Sequence, residues 1–447
     1  MTPPRPPRTA PPAPEPAATA APDAGRDAPG RDVPAVHAEP SRKVGGWWIA
    51  GFAAAWLGVW MAQLTPVQLL LPVQVEALVA TRTWQDSVLT FGVVSGISAL
   101  CAIVAYPLAG ALSDRTTSRF GRRRPWILGG ALLFAVSLLL LGLQTSIVGV
   151  TVFWALAITG FCTLSAALTA TISDQVPVGQ RGLVSGFVSA PQAVGIILGL
   201  LLVTELIVGQ IAGYAALAVL LVVLVIPFLF VKDAVLPREL RTPLTPRTLV
   251  QGFWISPRRF PDFGWTLLGR VLANIGNALG TSLLLYFLLF GLGRDSAQAE
   301  DDLLLTTLIY MVCSIVASIV CGRLSDVLGR RRVFVVVASA LQAAGGILLL
   351  SWPTFDALLI GAVLLGLGYG TFLSVDQALA TQVLPAAESR GKDLGIMNIA
   401  TAVPQAVAPM LGALVVTAAG GFGALFAVSA AFSVLGAVAV MFVRGVR

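Results

Sequence analysis

The chain has 447 residues, of which 56% are hydrophobic and only 11% charged, and its mean hydropathy is +0.85. A water-soluble globule carries about 25% charge, so this composition excludes a freely soluble enzyme or binding domain and makes lipid the solvent for most of the chain. The net charge of +7, from 29 Lys+Arg and 22 Asp+Glu, sits in the N-terminal region and in short clusters between apolar runs, which is the pattern of a topology signal rather than of nucleic-acid binding.

Residues 1–42 are dominated by Pro, Ala, Arg and Asp without an apolar period, and they predict a disordered cytoplasmic tail. The first apolar run begins only near Gly46, which argues against a signal peptide. From there, runs long enough to cross a hydrocarbon core of roughly 30 Å recur twelve times, at 46–72, 87–112, 126–145, 147–172, 183–207, 213–231, 264–291, 303–324, 333–351, 356–382, 393–418 and 421–443. The proline-rich, basic stretch 232–262 divides them into an N-terminal bundle, 43–231, and a C-terminal bundle, 263–447, and predicts a cytoplasmic linker. The expected fold is an all-α membrane protein of twelve transmembrane helices in two pseudo-symmetric six-helix bundles.

Placing both termini in the cytoplasm puts the clusters around Arg115–Arg124, Arg181, Arg323–Arg332 and Arg390–Lys392 inside, leaving Arg82 and Arg294 outside together with Asp295, Glu300, Asp301 and Asp302. Cys101, Cys162, Cys313 and Cys321 lie within apolar runs and read as small packing residues. The single histidine, His37, lies in the tail, so any proton carrier within the membrane has to be a carboxylate. No phosphate loop, nucleophile elbow or zinc helix is present, so the chain is expected to be no enzyme, to need no cofactor or metal and to be driven by a gradient, protons first among the choices.

Two loops repeat. Gly110-Ala111-Leu112-Ser113-Asp114-Arg115 followed by Gly121-Arg122-Arg123-Arg124 returns as Gly322-Arg323-Leu324-Ser325-Asp326 followed by Gly329-Arg330-Arg331-Arg332, each copy between the second and third helix of its half. Val176-Pro177 with Arg181-Gly182 returns as Leu384-Pro385 with Arg390-Gly391, each followed by a Pro-Gln pair, Pro191-Gln192 and Pro404-Gln405.

The first of these loops resembles the signature loop of the major facilitator superfamily. The stretch Ser113–Trp126, with Gln63-Leu64-Thr65-Pro66 and Val94-Ser95-Gly96, is similar to plant sucrose/proton symporters and their glycoside/cation symporter relatives. That resemblance implies crosswise pairing of the halves. Asp114 would then cap the eleventh helix near Gly391 and Lys392, and Asp326 the fifth near Gly182 and Leu183, whenever the cytoplasmic side closes. Gly110, Asp114, Arg115, Gly121, Arg122, Arg181, Gly322, Asp326, Gly329, Arg330 and Arg390 are therefore the expected gating loops, with Gly110 and Gly322 permitting close helix approach. Topology anchoring alone explains the arginines as well, though not the glycines and aspartates.

Ionisable groups at membrane depth mark pathways or internal locks. Asp376 lies deep in the tenth predicted helix with Tyr369 and Gln377, and Arg270 lies in the seventh with Asn274 and Asn277 at i+4 and i+7. Similar depth lets Arg270 and Asp376 form a buried pair, either as a charged element of the pathway or as a structural salt bridge. In the first half Gln63, Gln68 and Gln74 recur along the first helix and would suit a hydroxyl-rich solute, with Trp56, Trp60, Phe91 and Phe187 as apolar walls. Against the sugar symporters, the stretch Ser165–Asp174 keeps an acid but lacks the arginine that the resemblance would place ahead of it.

The expected function is a secondary active transporter working by alternating access, a proton-coupled symporter of a disaccharide-like sugar in the cytoplasmic membrane, working as a monomer with a small solute and the bilayer, and not nucleic acid, as its partners. A drug or metabolite exporter on the same scaffold, or a non-transporting receptor or assembly protein, are the competing expectations.

Overall fold

The computed structural model describes residues 40, 42–79, 83–237, 239, 260–382 and 390–443, and side chains at all of these except 178, 179, 182, 185, 189, 326, 377–382 and 390–399. Nearly all of the expected tail, and 240–259 of the expected linker, lie outside these residues.

Among the described residues every long element is a helix. In chain order they are α1 (Gly46–Thr65, a π turn Pro66–Leu70, then Leu71–Val79), α2 (Trp84–Asp114), α3 (Arg124–Gly142), α4 (Ile147–Gln175), α5 (Val178–Leu201 with a π turn Leu202–Leu206), α6 (Gln210–Leu229), α7 (Pro261–Ser282, then Leu284–Tyr286 and a π turn Phe287–Gly291), α8 (Ser296–Leu328), α9 (Arg331–Ser351), α10 (Phe355–Gln382), α11 (Arg390–Ala419) and α12 (Phe422–Met441). Eleven helices are long and apolar enough to cross a bilayer, and α7, bent by 41° at its break, makes a twelfth if both pieces form one span.

Three boundaries differ from the sequence expectation for local reasons. The first helix runs to Val79 because Pro66, which lacks an N–H, is absorbed in a π turn instead of ending the helix. The seventh is interrupted at Leu283. The eighth begins at Ser296, so Glu300, Asp301 and Asp302 are helical; the Asp295 carboxylate caps it by accepting from the Gln298 amide at 2.9 Å, and Arg294 pairs with Asp302 at 3.0 Å.

The packing of α1–α6 is repeated by α7–α12. The first helix of each half packs on the fifth and sixth, the fourth on the second and third, and the third on the sixth. The halves meet through α2 against α11 and through α5 against α8, each the symmetry mate of the other. Glycines set the close approaches: a Cβ on Gly370 would stand 2.0 Å from the Ser314 carbonyl oxygen, so α10 lies backbone against backbone on α8.

The outer surface is apolar. Val93, Ile97, Leu100 and Val104 form an exposed helical stripe on α2, and Val312, Val316, Ile319 and Val320 do so on α8. A stripe of this kind has no place on a soluble monomer and is what acyl chains require.

At the end away from the arginine loops the halves are sealed. A Cβ on Gly92 would stand 2.4 Å from Ala413 Cβ, and one on Gly96 2.2 Å from Met410 Sδ, so α11 lies in a glycine notch of α2. Trp84 of α2 packs on Phe290 and Phe422 at ring separations of 6.0 and 5.7 Å, Phe91 meets Tyr286 edge-on at 5.5 Å, and the Tyr286 hydroxyl donates to the Pro72 carbonyl at 3.1 Å.

Candidate functional site

The site grows from two helical faces. On α7, Arg270, Asn274 and Asn277 are spaced by four and then three residues, which places them on one stripe. On the antiparallel α10, Tyr369 and Asp376 are seven residues apart and share a face for the same reason. The two faces meet in two polar rungs about 10 Å apart along the helix axes.

The first rung is charged. Arg270 Nε lies 2.8 Å from Asp376 Oδ2, and the two side chains retain 6% and 0% of their exposure. Asn274 Nδ2 donates to the Arg270 carbonyl at 2.8 Å. Asp376 Oδ1 and Asn274 Oδ1 are buried and accept no hydrogen bond among the described residues. Ions so buried are tolerable only as a pair, so any event that neutralises Asp376 changes the balance of the whole rung.

The second rung is neutral and spans four helices. The Tyr310 hydroxyl of α8 donates to Asn277 Oδ1 at 3.1 Å, and Gln405 Nε2 of α11 donates to the Tyr369 hydroxyl at 3.3 Å. The two tyrosine rings stack at 6.2 Å. Of this rung the sequence reading selected Asn277 and Tyr369 but neither Tyr310 nor Gln405. The repeated Pro404-Gln405 pair is the one sequence signal that could have marked Gln405. The Gln377 side chain lies outside the described residues.

In the first half Gln63 and Gln68 are half-buried, and the buried Gln63 Oε1 has no hydrogen-bond partner among the described residues. Gln74 does not belong with them. It is 1% exposed, donates to the Leu141 and Gln144 carbonyls at 2.9 and 3.2 Å and accepts from the Tyr214 hydroxyl at 3.1 Å, which makes it an internal clamp between α1, α3 and α6. Trp60 donates its indole N–H to the Val188 carbonyl at 2.8 Å and lies 5.9 Å from Phe161, whereas Phe91 is spent on the seal between the halves.

The arginine loops are bonded within their own halves. Arg122 and Arg123 both reach Asp174 at the end of α4, at 2.5 and 2.8 Å, and Arg123 also donates to Ser113 Oγ at 2.6 Å and to the Asp114 carboxylate. Burial opposes the Arg123 charge, but Asp174 and then Asp114 beside it outweigh burial and hold the guanidinium above its ordinary value. Arg115 donates to the Ala111 carbonyl at 2.7 Å, and Arg181 to the Val176 and Ser173 carbonyls at 3.0 and 3.2 Å, each capping a helix end. Among the described residues the Asp114 carboxylate is bonded to Arg123; the side chains at the start of α11, where its contact near Gly391 and Lys392 was expected, lie outside them. Gly110 makes no close approach either, since a Cβ there would meet open space within 4 Å, while one on Gly322 would stand 3.3 Å from Ser374 Cβ. Arg330 is exposed, and the side chains of Asp326 and Arg390 lie outside the described residues.

The duplication extends to these bonds. Ser113 and Ser325 each donate to the carbonyl of the glycine three residues earlier, Gly110 and Gly322, at 2.9 Å. Gly121 and Gly329 both hold positive φ, 104° and 62°, a turn that favours glycine. The last arginine of each triplet caps the sixth helix of its half: Arg124 donates to the Val231 carbonyl, and Arg332 to that of Met441 at 2.6 Å. In the first half Asp233 adds a further stitch by accepting from the Arg123 and Arg124 amides at 2.6 and 3.0 Å.

Comparison with known proteins agrees with this architecture. The family profile described as Major Facilitator Superfamily matches residues 45–320 and 271–447. The Sucrose transport protein SUC4 of Arabidopsis thaliana is 35% identical over 83 residues, which is 19% of this chain and 14% of that protein.

Proposed function

The chain belongs to the Major Facilitator Superfamily, a family of membrane transporters, and from that premise we propose that it is a proton-coupled symporter for a sugar of disaccharide type, working by alternating access in the cytoplasmic membrane. The observation that carries the reading is the buried Arg270–Asp376 pair, 2.8 Å apart. A carboxylate held at membrane depth against Arg270, with no donor to its second oxygen among the described residues, is suited to take up and release one proton as solute arrives and leaves. The short match to a protein named as a sucrose transporter, and the half-buried amides Gln63 and Gln68, support a neutral, hydroxyl-rich solute. Coupling through a gradient needs no cofactor, and a single chain carries both halves of the site.

Placing the arginine loops and both termini in the cytoplasm follows the positive-inside rule. On that placement the aromatic seal closes the outer face in the conformation described here.

The test is flux in proteoliposomes of purified protein with a pH dye inside. Adding sucrose or maltose outside should acidify the lumen, and Asp376→Asn should abolish that signal while leaving the variant correctly inserted. Undiminished sugar-driven proton entry in Asp376→Asn removes the carboxylate from the coupling step.

One observation favours a second reading. Between α7 and α11 lies a cavity of about 300 Å³ lined only by Leu267, Val271, Ile275, Ala400, Val403, Pro404 and Val407. An apolar groove of that kind suits an export pathway for a lipophilic cation, and proton movement driven by such a cation but by no sugar would establish it instead.

A further inference from the structure

α11 is tied at two places that belong to different tasks. Gln405 binds it to Tyr369, on the face of α10 that also carries Asp376. Met410 and Ala413 bind it to the glycine notch of α2 in the other half. The two attachments are about 8 to 12 Å apart along the helix, and Pro404 and Pro409 lie at and between them. A proline inside a helix removes a backbone hydrogen bond and lets the flanking segments change their angle. Tyr369 lies about two helical turns from Asp376 on the same face of α10, so a change of charge in the pair acts along the face that carries its hydroxyl.

We propose that Gln405 is a positioning residue that couples the Arg270–Asp376 pair to the contact between the halves: its bond to the Tyr369 hydroxyl holds α11 where Met410 and Ala413 can fill the notch of Gly92 and Gly96. Neutralising Asp376 removes the negative charge beside Arg270, the Tyr369 hydroxyl turns in the altered field, and the Gln405 bond weakens. α11 is then free to tilt at its prolines and leave the notch, which lets the sealed end part. The repeated Pro191-Gln192 pair puts the same two residue types on α5, the symmetry mate of α11.

This inference rests on the assignment of Asp376 to the coupling step, and the experiment separates the two. Spin labels at Val93→Cys on α2 and Leu414→Cys on α11, both exposed to lipid, report the α2–α11 distance in nanodiscs, in a chain whose four native cysteines are replaced by alanine. Gln405→Leu should raise the population of the long distance about fivefold, the effect of losing one neutral hydrogen bond. Tyr369→Phe should do the same, the double variant should add nothing further, and Gln405→Glu, whose carboxylate can accept the Tyr369 hydroxyl hydrogen in place of the lost amide donation, should restore the short distance. Asp376→Asn should lengthen the distance in the wild-type background and have no added effect in Gln405→Leu.

Equal lengthening by Asp376→Asn in both backgrounds overturns the role of Gln405 while leaving Asp376 as a coupling group. No lengthening in either background overturns the role of Gln405 as well. The proteoliposome proton signal of Asp376→Asn then says separately whether the coupling assignment survives. An unchanged distribution in Gln405→Leu, or additive effects of Gln405→Leu and Tyr369→Phe, also overturns it.

Discussion

Arg124 donates from both Nε and Nη2 to one acceptor, the carbonyl oxygen of Val231, just beyond the end of α6. The last carbonyls of a helix have no partner inside it, and a guanidinium fork answers that need with charge as well as hydrogen bonds. Arg332 reaches the matching carbonyl, that of Met441, with Nη2 at 2.6 Å. Lysine at either position keeps the charge and loses the planar guanidinium that makes these bonds. Arg124→Lys and Arg332→Lys should each cost about 1 kcal/mol, read as a lower midpoint in thermal unfolding of the detergent-purified protein. Insertion and the amount of protein in the membrane should stay as in the parent, and an unchanged midpoint in both would show that charge alone suffices.

Asp174 is the shared anion of Arg122 and Arg123. Asp174→Asn leaves two buried guanidinium groups facing each other with Asp114 as the nearest remaining carboxylate. Removing one partner from a buried ion pair costs about 3–5 kcal/mol, so the variant should lose its monodisperse peak in size-exclusion chromatography at a temperature the parent tolerates. Adding Arg122→Gln should recover part of the loss. A variant as robust as the parent would mean that solvent reaches the cluster and screens it.

Gly121 and Gly329 hold equivalent turns, yet their surroundings differ. A Cβ on Gly121 would stand 2.3 Å from Asp233 Oδ2, whereas one on Gly329 would meet nothing within 4 Å. Positive φ alone makes alanine unfavourable by about 1 kcal/mol at both. Gly121→Ala should therefore destabilise clearly more than Gly329→Ala in the same unfolding assay. Equal effects would show that Asp233 gives way at little cost. Gly110→Ala, which meets open space, serves as the neutral control.

Two glutamines of α1 should separate structure from solute. Gln74→Leu leaves two carbonyls and the Tyr214 hydroxyl without their partner and should lower folding yield and thermal stability by about 1–3 kcal/mol. Gln63→Leu should leave stability unchanged and raise the sugar concentration needed for half-maximal uptake. An opposite assignment of the two effects would move the solute site away from Gln63.

The helical organisation was legible because each span is an apolar run long enough to stand out, and because the Gly-Ser-Asp and Arg triplets recur at matching places. Depth counted from the helix ends was enough to bring Arg270 and Asp376 to the same level, since both helices start or stop at a marked loop. What α8 does at its start was not legible. Glu300, Asp301 and Asp302 read as loop, but the Asp295 cap and the Arg294–Asp302 pair extend the helix beyond the apolar run. The partners of Asp114 and Asp174 were equally hidden, because they depend on how a loop folds over the ends of α4 and α6. Tyr310 and Gln405 look like ordinary helix residues until four helices converge on one level.

The bonds of Arg124 to Val231 and of Arg332 to Met441 each close on the bundle that carries the arginine. Scission of the chain within 240–259 severs none of these bonds. The two bundles should thus be expressible as separate polypeptides that insert independently and reassociate through the α2–α11 and α5–α8 contacts. Complementation between two plasmids would then let each half be mutated, labelled or exchanged without touching the other.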